Sequence, residues 1–205
     1  MNPLRICLLL LLTLTACGPD PSGSAATPET ASVAIMGQRT TDESNPDVPP
    51  EVEAFPACMG VAVSSDLVLT SDHCPEGMID GRHIIVDYTT WYTTARGSQF
   101  ADSTLVSGEI RSLVPRTPLS NWVSLGSVSD APAEIVVIRG SDFVTLSVTV
   151  LGYQLTDAML SHGDSGAGVF QMGKLVGIVQ ACNSSNDTDC DLPGGRFRQV
   201  APLWP

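Results

Sequence analysis

Basic residues are scarce in this chain. Its 205 residues include 10 Lys and Arg against 22 Asp and Glu, which gives a formal net charge of −12 at pH 7. Nucleic-acid binding needs a basic patch, so nucleic acid is excluded as an expected partner. The sequence also lacks the close C-x-x-C spacing that is usual in zinc sites. We therefore expect no metal and no cofactor.

The chain also lacks an apolar run long enough to span a bilayer permanently. Arg5 is followed by the run Ile6 to Leu14, which has the length of the apolar core of an export signal. The segment Leu14-Thr15-Ala16-Cys17 resembles the bacterial lipoprotein signal, in which the peptide is cut before the cysteine and this cysteine is lipidated. The alternative is an ordinary secretory signal cut near Ala16. In both cases residues 1–16 are a predicted signal peptide and the protein is exported.

Residues 17–34 are rich in Pro, Ser, Gly, Ala and Thr, a composition that buries little apolar surface. We expect Cys17 to be lipidated and the rest of this segment to be a flexible tether. Cys7 would be lost with the signal, so four cysteines remain for an oxidising compartment, and four cysteines allow three pairings. These cysteines are Cys58, Cys74, Cys182 and Cys190.

Short apolar runs separated by turn residues fill the rest of the sequence. No window combines helical periodicity with good helix formers, and 18 Gly and 15 Pro provide turns. The pattern predicts an all-β protein with closed or paired sheets. The predicted strands include 60–63, 67–69, 83–86, 135–138, 144–150, 168–170 and 175–179.

Two distant blocks resemble the trypsin/chymotrypsin-like serine protease family (peptidase S1 type). In the first, an apolar segment beginning at Cys58 leads to His73-Cys74, and in the second Gly163-Asp164-Ser165-Gly166 matches the nucleophile block of the family. The segments 173–179 and 193–202 resemble the strands that follow it. The resemblance covers roughly residues 35–205. It implies two packed antiparallel β-barrels, the first about 35–140 and the second about 141–205, with the terminal helix of the family absent.

The resemblance also implies catalytic roles. His73 would be the general base for the nucleophile Ser165, and the backbone N–H groups of Gly163 and Ser165 would form the oxyanion hole. Chain order separates this arrangement from the α/β-hydrolases, in which the histidine follows the serine, because all three histidines here precede Ser165. A histidine followed by a bridged cysteine implies the disulfide Cys58–Cys74, and the second pair is then Cys182–Cys190.

The third catalytic residue is the weakest part of the resemblance. The family places an aspartate before an apolar strand, and Glu134 precedes the strand 135–138. Asp130 is the alternative, if the turn 131–133 brings it to the histidine. The two residues before His73 also depart from the family, since they are Ser71 and Asp72 rather than small apolar residues.

Two further expectations come from the resemblance. Met159, six residues before Ser165, would form an uncharged floor of the specificity pocket and Gly194 would line it, although Met159 is equally compatible with a core position. Ile35 resembles the mature N-terminus of the family, whose freed amine would insert beside Asp164. The alternative is a permanently tethered protein in which Ile35 starts an ordinary strand.

Together these features predict an exported serine endopeptidase that acts as a monomer on peptide or protein substrates. We expect it at the bacterial cell envelope, anchored through Cys17 (in the outer membrane if the cell has two membranes), or secreted if it is cut near Ile35. A catalytically inactive relative that serves as a surface binding module is the alternative function. Glu134 and Asp72 motivate this alternative, because both depart from the family pattern.

Overall fold

Two closed antiparallel barrels form the core of the structure. The computed structural model describes residues 26–41, 51–76, 84–87, 98–140, 142–185 and 190–200. The strands of the first barrel are β1 (Ser32–Thr41), β2 (Glu51–Ser64), β3 (Leu67–Ser71), β4 (Ile84–Asp87), β5 (Ser98–Ser107) and β6 (Ile110–Pro115). Those of the second are β7 (Pro132–Arg139), β8 (Asp142–Leu151), β9 (Gln154–Thr156), β10 (Gly168–Gln171), β11 (Lys174–Asn183) and β12 (Leu192–Gln199). The predicted all-β two-barrel fold is confirmed.

Strand order closes each barrel on itself. The first barrel runs β1-β2-β3-β6-β5-β4 and is closed by the pairing of β1 with β4. The second runs β10-β11-β12-β9-β8-β7 and is closed by the pairing of β10 with β7. Full closure leaves neither barrel with a free edge among the described strands, so no row of unpaired backbone groups is exposed there to pair with another chain.

The apolar core joins the two barrels. Met59 and Val61 on β2 belong to the same buried cluster as Val169 and Phe170 on β10. Gly168 lies at the contact, where an added Cβ would come within 2.6 Å of the Val61 side chain. A smaller cluster, which includes Val33, Ile35 and the Cys58–Cys74 disulfide, fills the first barrel. Both barrels, and the contact between them, are therefore well packed.

The structure corrects two predicted boundaries. The strand β7 is part of the second barrel, so that barrel begins at Pro132 and not near residue 141. The tether was expected to extend to residue 34, but the helix α1 (Pro28–Ala31) and β1 precede that point. Thr27 caps α1, and the Thr145 hydroxyl on β8 donates to Glu29 Oε1 at 2.7 Å. This segment is therefore attached to the second barrel.

The predicted signal peptide, the lipidation site Cys17 and the last five residues, 201–205, lie outside the described residues. Within the part that is described, no helix has the length and apolar character needed to cross a membrane.

Candidate active site

The loop that contains Ser165 is attached to both barrels. Met59 N–H on β2 donates to the Ser165 carbonyl at 2.7 Å, and Gly166 N–H donates to the Val179 carbonyl on β11 at 2.8 Å. Gly166 has φ +87°, and a Cβ there would overlap the Met59 carbonyl oxygen. Only glycine allows so close an approach of two backbones. The nucleophile loop is thereby fixed where the two barrels meet.

The backbone on either side of Asp164 carries the two N–H groups predicted to form the oxyanion hole. Gly163 has φ +96°, a conformation that favours glycine. Asp164 N–H is used within the loop, since it donates to the Ser161 carbonyl at 3.1 Å. Among the described residues, the N–H groups of Gly163 and Ser165 have no acceptor. Both are thus available to a ligand oxygen, and their role in catalysis stays a prediction.

His73 lies at the end of the first barrel, opposite this loop. It begins the short helix α2 (His73–Glu76), directly after β3. The next residue, Cys74, forms the predicted disulfide with Cys58, with the Cα atoms 5.8 Å apart, which ties the histidine segment to β2. The Cys74 sulfur also lies 3.5 Å from the Ser165 carbonyl oxygen. The prediction of this disulfide is confirmed.

The side chains of His73 and Ser165 line one cleft of about 330 Å³. Its other walls are formed by Leu160, Ser161, His162, Asp164, Val179, Gln180, Ala181, Cys182, Ser184 and Cys190. The imidazole is 52% exposed, so it is accessible to solvent and to a substrate. The structure therefore brings together the two residues that the sequence places 92 positions apart.

The Nδ1 atom of His73 faces a hydroxyl group. Ser71 Oγ lies 2.8 Å from Nδ1, and the same hydroxyl lies 2.6 Å from Gln180 Oε1 on β11. The carboxylate of Asp72 is more distant, with Oδ1 3.6 Å from Nδ1. Gln180 was not predicted, and Ser71 was noticed only as a departure from the family pattern.

The structure does not bring either predicted acid to this ring. Glu134 is exposed on β7, where it pairs with Ser147 and Phe170 of the second barrel. Asp130 Oδ1 instead accepts a hydrogen bond from Gly152 N–H at 2.8 Å. The choice of Glu134 assumed that the strand after it ends the first barrel, whereas β7 is the first strand of the second barrel.

Glu109 is the acid that precedes the last strand of the first barrel. Its carbonyl accepts from Asp72 N–H at 3.2 Å, so its backbone lies beside the histidine segment. Its carboxylate lies 3.9 Å from Arg196 Nη2 and 3.7 Å from Arg198 Nη1 on β12. The signal that could have found it is the same one that led to Glu134, an acid directly before an apolar strand.

Asp164 is paired with an arginine and not with a freed N-terminus. Arg139 Nη1 and Nη2 donate to the two carboxylate oxygens at 2.7 and 2.8 Å, and Nη2 also donates to the Met159 carbonyl at 3.1 Å. Asp164 also accepts from Ser161 N–H at 2.7 Å. The hydrogen bonds to Asp164 raise the pKa of Arg139 above its usual value, although partial burial opposes this effect. Nothing in the sequence around Arg139 indicates this pairing.

Ile35 is not near a chain end in the folded protein. It lies inside β1, fully buried, where it pairs with Cys58 and Ile85. The strand begins three residues earlier, at Ser32. Ile35 thus lies within a strand and does not start one, and in the intact chain Arg139 occupies the position beside Asp164 that a freed amine was expected to take.

The predicted specificity residues lie outside the cleft walls. Met159 is 51% exposed, and Leu160, which is 1% exposed, lines the cleft instead. Gly194 is buried, and its N–H donates to the Ala158 carbonyl at 2.7 Å. Its positive φ of +90° and the nearby Leu155 carbonyl explain the glycine as a packing requirement.

The second predicted disulfide forms part of the cleft wall. Cys182 and Cys190 are bonded, with the Cα atoms 5.4 Å apart, which confirms the prediction. Ser185, inside the loop that they close, is bonded to Asp191 just beyond it: Ser185 N–H donates to Asp191 Oδ1 at 2.8 Å and the Ser185 hydroxyl donates to Oδ2. These bonds lower the pKa of Asp191. Two disulfides indicate an exported protein, since such bonds persist in oxidising compartments.

Comparison with known proteins gives structural similarity without sequence similarity. No protein-family model matches the sequence, and no curated protein matches it. The scabies mite inactivated protease paralogue S-D1 has a TM-score of 0.58 at 15% identity, over 86% of this chain and 91% of its own. Human heparin binding protein has a TM-score of 0.57 at 14% identity, over 88% and 91%.

The HtrA-type protease AlgW, solved with a decapeptide, has a TM-score of 0.61 at 16% identity over 82% of this chain, which matches 61% of the AlgW chain. Identities this low establish the fold alone. The chain thus has the two-barrel fold of the trypsin/chymotrypsin-like serine proteases.

Proposed function

We propose that this protein is an exported serine endopeptidase. Ser165 Oγ attacks the carbonyl carbon of a peptide bond while His73 takes the hydroxyl proton, and His73 then protonates the leaving amine. Water, activated by the same histidine, releases the acid product and restores the Ser165 hydroxyl. The N–H groups of Gly163 and Ser165 bind the oxyanion. The single observation that supports this proposal is the cleft shared by His73 and Ser165.

The pairing of Asp164 supports an enzyme that needs no proteolytic activation. The carboxylate beside the nucleophile is already neutralised by Arg139 in the intact chain. A bidentate Arg–carboxylate pair also fixes orientation, because two parallel bonds define a plane. Cleavage before Ile35 would therefore change where the protein resides, and not whether its site is formed.

The cleft favours an apolar or small side chain in the substrate. Its walls beside Ser165 include Leu160, Val179 and Ala181, and its buried carboxylate, Asp164, is occupied by Arg139. A basic substrate side chain would find no free acid there among the described residues. Peptides with Leu, Met or Ala before the scissile bond should be preferred over those with Lys or Arg.

A fluorophosphonate probe tests the proposed activity, because it forms a covalent bond with an activated serine. The wild-type chain should be labelled, Ser165→Ala should not, and His73→Gln should be labelled at least about 100-fold more slowly. Ser147→Ala, which removes an exposed hydroxyl on β8, is the matched control.

Absence of Ser165-dependent labelling in folded protein would contradict the proposal and favour a non-catalytic binding module. One observation favours that second candidate, namely that a hydroxyl and not a carboxylate faces His73 Nδ1.

We also propose that Cys17 is lipidated and anchors the domain to a membrane of the cell envelope. The sequence supports this, since Leu14-Thr15-Ala16-Cys17 follows directly on the apolar run and resembles the lipoprotein signal. Mass spectrometry of the mature N-terminus should find diacylglycerol-modified Cys17, and its loss in Cys17→Ala should release the protein from membranes. A mature chain that begins at residue 17 without lipid would contradict the anchor.

A further inference from the structure

We propose that Ser71 and Gln180 fix the tautomer and orientation of His73, in the position where a carboxylate is expected. The importance of this role for catalysis rests on the proposed function, but the arrangement itself can be tested without activity. Both residues are positioning residues, because their proposed effect on the reaction passes through the imidazole of His73.

The direction of the hydrogen bonds follows from counting protons. A serine hydroxyl has one proton, and Ser71 Oγ is within bonding distance of two groups, Gln180 Oε1 at 2.6 Å and His73 Nδ1 at 2.8 Å. Because the amide oxygen only accepts, the Ser71 proton must point to Gln180. The Ser71 oxygen then accepts from His73, so Nδ1 bears the proton and Nε2 keeps its lone pair.

The orientation of the Gln180 amide is itself determined by its surroundings. Gln180 Nε2 donates to the Ile178 carbonyl at 3.2 Å. If the amide were flipped, its oxygen would face that carbonyl, and two acceptors would be placed against each other. The chain of bonds therefore runs in one direction, from Nδ1–H through the Ser71 hydroxyl and the Gln180 amide to the Ile178 carbonyl.

Burial makes this arrangement rigid. Ser71 is 0% exposed and Gln180 is 5% exposed, so water does not compete for either group. Ser71 ends β3 in the first barrel and Gln180 lies on β11 in the second, so the bond between them joins the two barrels beneath the histidine. The imidazole of His73 is thus oriented by a contact that also connects the two barrels.

A carboxylate near the ring belongs to a different residue. Asp72 Oδ1 lies 3.6 Å from Nδ1, and its side chain is 34% exposed. The contacts that a single carboxylate makes to the histidine in a Ser-His-Asp triad are divided here between a buried neutral pair and a partly exposed acid.

Nitrogen NMR of the histidine rings tests the tautomer directly. In protein labelled with ¹⁵N-histidine at a pH where the ring is neutral, the His73 signals, identified by their loss in His73→Gln, should show a protonated Nδ1 and an unprotonated Nε2. The double variant Ser71→Ala/Gln180→Met removes both groups together, so neither side chain is left facing the gap made by loss of the other. Its His73 signals should shift to a mixture of both tautomers.

Labelling by the fluorophosphonate probe supplies the kinetic readout. The double variant should be labelled about 10-fold to 100-fold more slowly than wild type, with little change in the apparent affinity for the probe. Gln180→Glu keeps an acceptor for the Ser71 hydroxyl but loses the amide donor to the Ile178 carbonyl, so its labelling rate should lie between those of wild type and the double variant. It also serves as the test if the double variant does not fold.

Two variants control for the loss of buried polar groups elsewhere. Ser112, also in the first barrel and 8% exposed, donates to the Thr104 carbonyl at 3.2 Å. Gln171, in the second barrel and 5% exposed, bonds to the backbone of Ser129. Ser112→Ala and Gln171→Leu should lower stability without altering the His73 tautomer or the labelling rate of the folded fraction.

An unprotonated Nδ1 in the wild-type ring would overturn the proposal. A labelling rate equal to wild type in the double variant would also overturn it. If Glu109→Gln lowers the labelling rate and the double variant does not, Glu109 is the orienting group and the proposal is wrong. If the wild-type protein is not labelled at all but its Nδ1 is protonated, the proposed function fails while this arrangement stands.

Discussion

The pair Arg139–Asp164 gives the most direct test of how the site is held together. The Asp164 side chain is 4% exposed and that of Arg139 is 34% exposed. Replacing Arg139 by Met leaves a buried carboxylate with only the Ser161 N–H as a described partner. Removal of one partner from a fully buried pair costs about 3–5 kcal/mol. Because Arg139 is partly screened by solvent, we expect the lower end of this range, about 3 kcal/mol.

A loss of this size is easily measured. For a protein of this length, about 3 kcal/mol corresponds to a decrease in Tm of roughly 6–12 °C. Asp164→Asn should cost less, about 1–2 kcal/mol, because the uncompensated guanidinium can turn toward water. The double variant should then show a coupling energy of about 1–3 kcal/mol in a double-mutant cycle. Thermal unfolding with the disulfides intact measures all three values.

The same substitution should reduce activity more than stability suggests. Asp164 precedes Ser165, so movement of its carboxylate shifts the nucleophile and the neighbouring N–H groups. We expect labelling by the fluorophosphonate probe to fall about 100-fold in folded Arg139→Met. Arg198→Met, which removes an exposed partner of Glu109, is the control and should change stability by less than about 0.5 kcal/mol. A Tm within about 2 °C of wild type together with an unchanged labelling rate would refute the role of Arg139.

Three further predictions concern the nucleophile loop and the cleft wall. Gly166→Ala should lower the free energy of unfolding by more than about 3 kcal/mol and abolish labelling, since its Cβ would overlap the Met59 carbonyl at a positive φ. A variant with near-normal stability and near-normal labelling would argue against this. Replacing Cys182 and Cys190 by Ala should cost about 2.5 kcal/mol by the chain-entropy estimate for a separation of 8 residues, measured with the Cys58–Cys74 bond intact. Ser185 lowers the pKa of Asp191 below its ordinary 3.8, so the stabilisation is present above that pH and is lost as pH falls through the lowered folded-state value. The stability difference between wild type and Ser185→Ala should therefore be present at about pH 6 and decrease progressively as the pH falls below 3.8.

The features that sequence predicted best are those in which chemistry and spacing act together. A glycine-rich nucleophile loop and a histidine beside a cysteine predict Ser165 and His73, and the structure places both at one cleft, while their catalytic roles stay predictions. The resemblance to the protease family implies the two disulfides and the two-barrel fold, whereas the density of short strands alone predicts an all-β protein. Each of these depends on residues close together in the sequence or on one family-specific spacing.

The partners of these residues could not be predicted in the same way, because they depend on how distant strands align. Arg139 and Asp164 are 25 residues apart, and Ser71 and Gln180 are 109 apart. The prediction of Glu134 rests on its position directly before an apolar segment, and it is wrong because that segment belongs to the second barrel and not to the barrel that carries His73. Both acids, Glu109 and Glu134, precede an apolar strand, and only the closure of each barrel distinguishes them.

The pairs Arg139–Asp164 and Ser71–Gln180 both hold parts of the candidate active site in position. The first holds the nucleophile loop within the second barrel, and the second bridges the barrels under the histidine. Neither pair involves a chain terminus, and the attached segment before β1 leaves Ile35 buried in its strand. The geometry of Ser165 and His73 is thus fixed by side chains present in the uncut chain. For the proposed tethered enzyme, we therefore expect activity to depend on access of the substrate to the cleft and not on a maturation cut at Ile35.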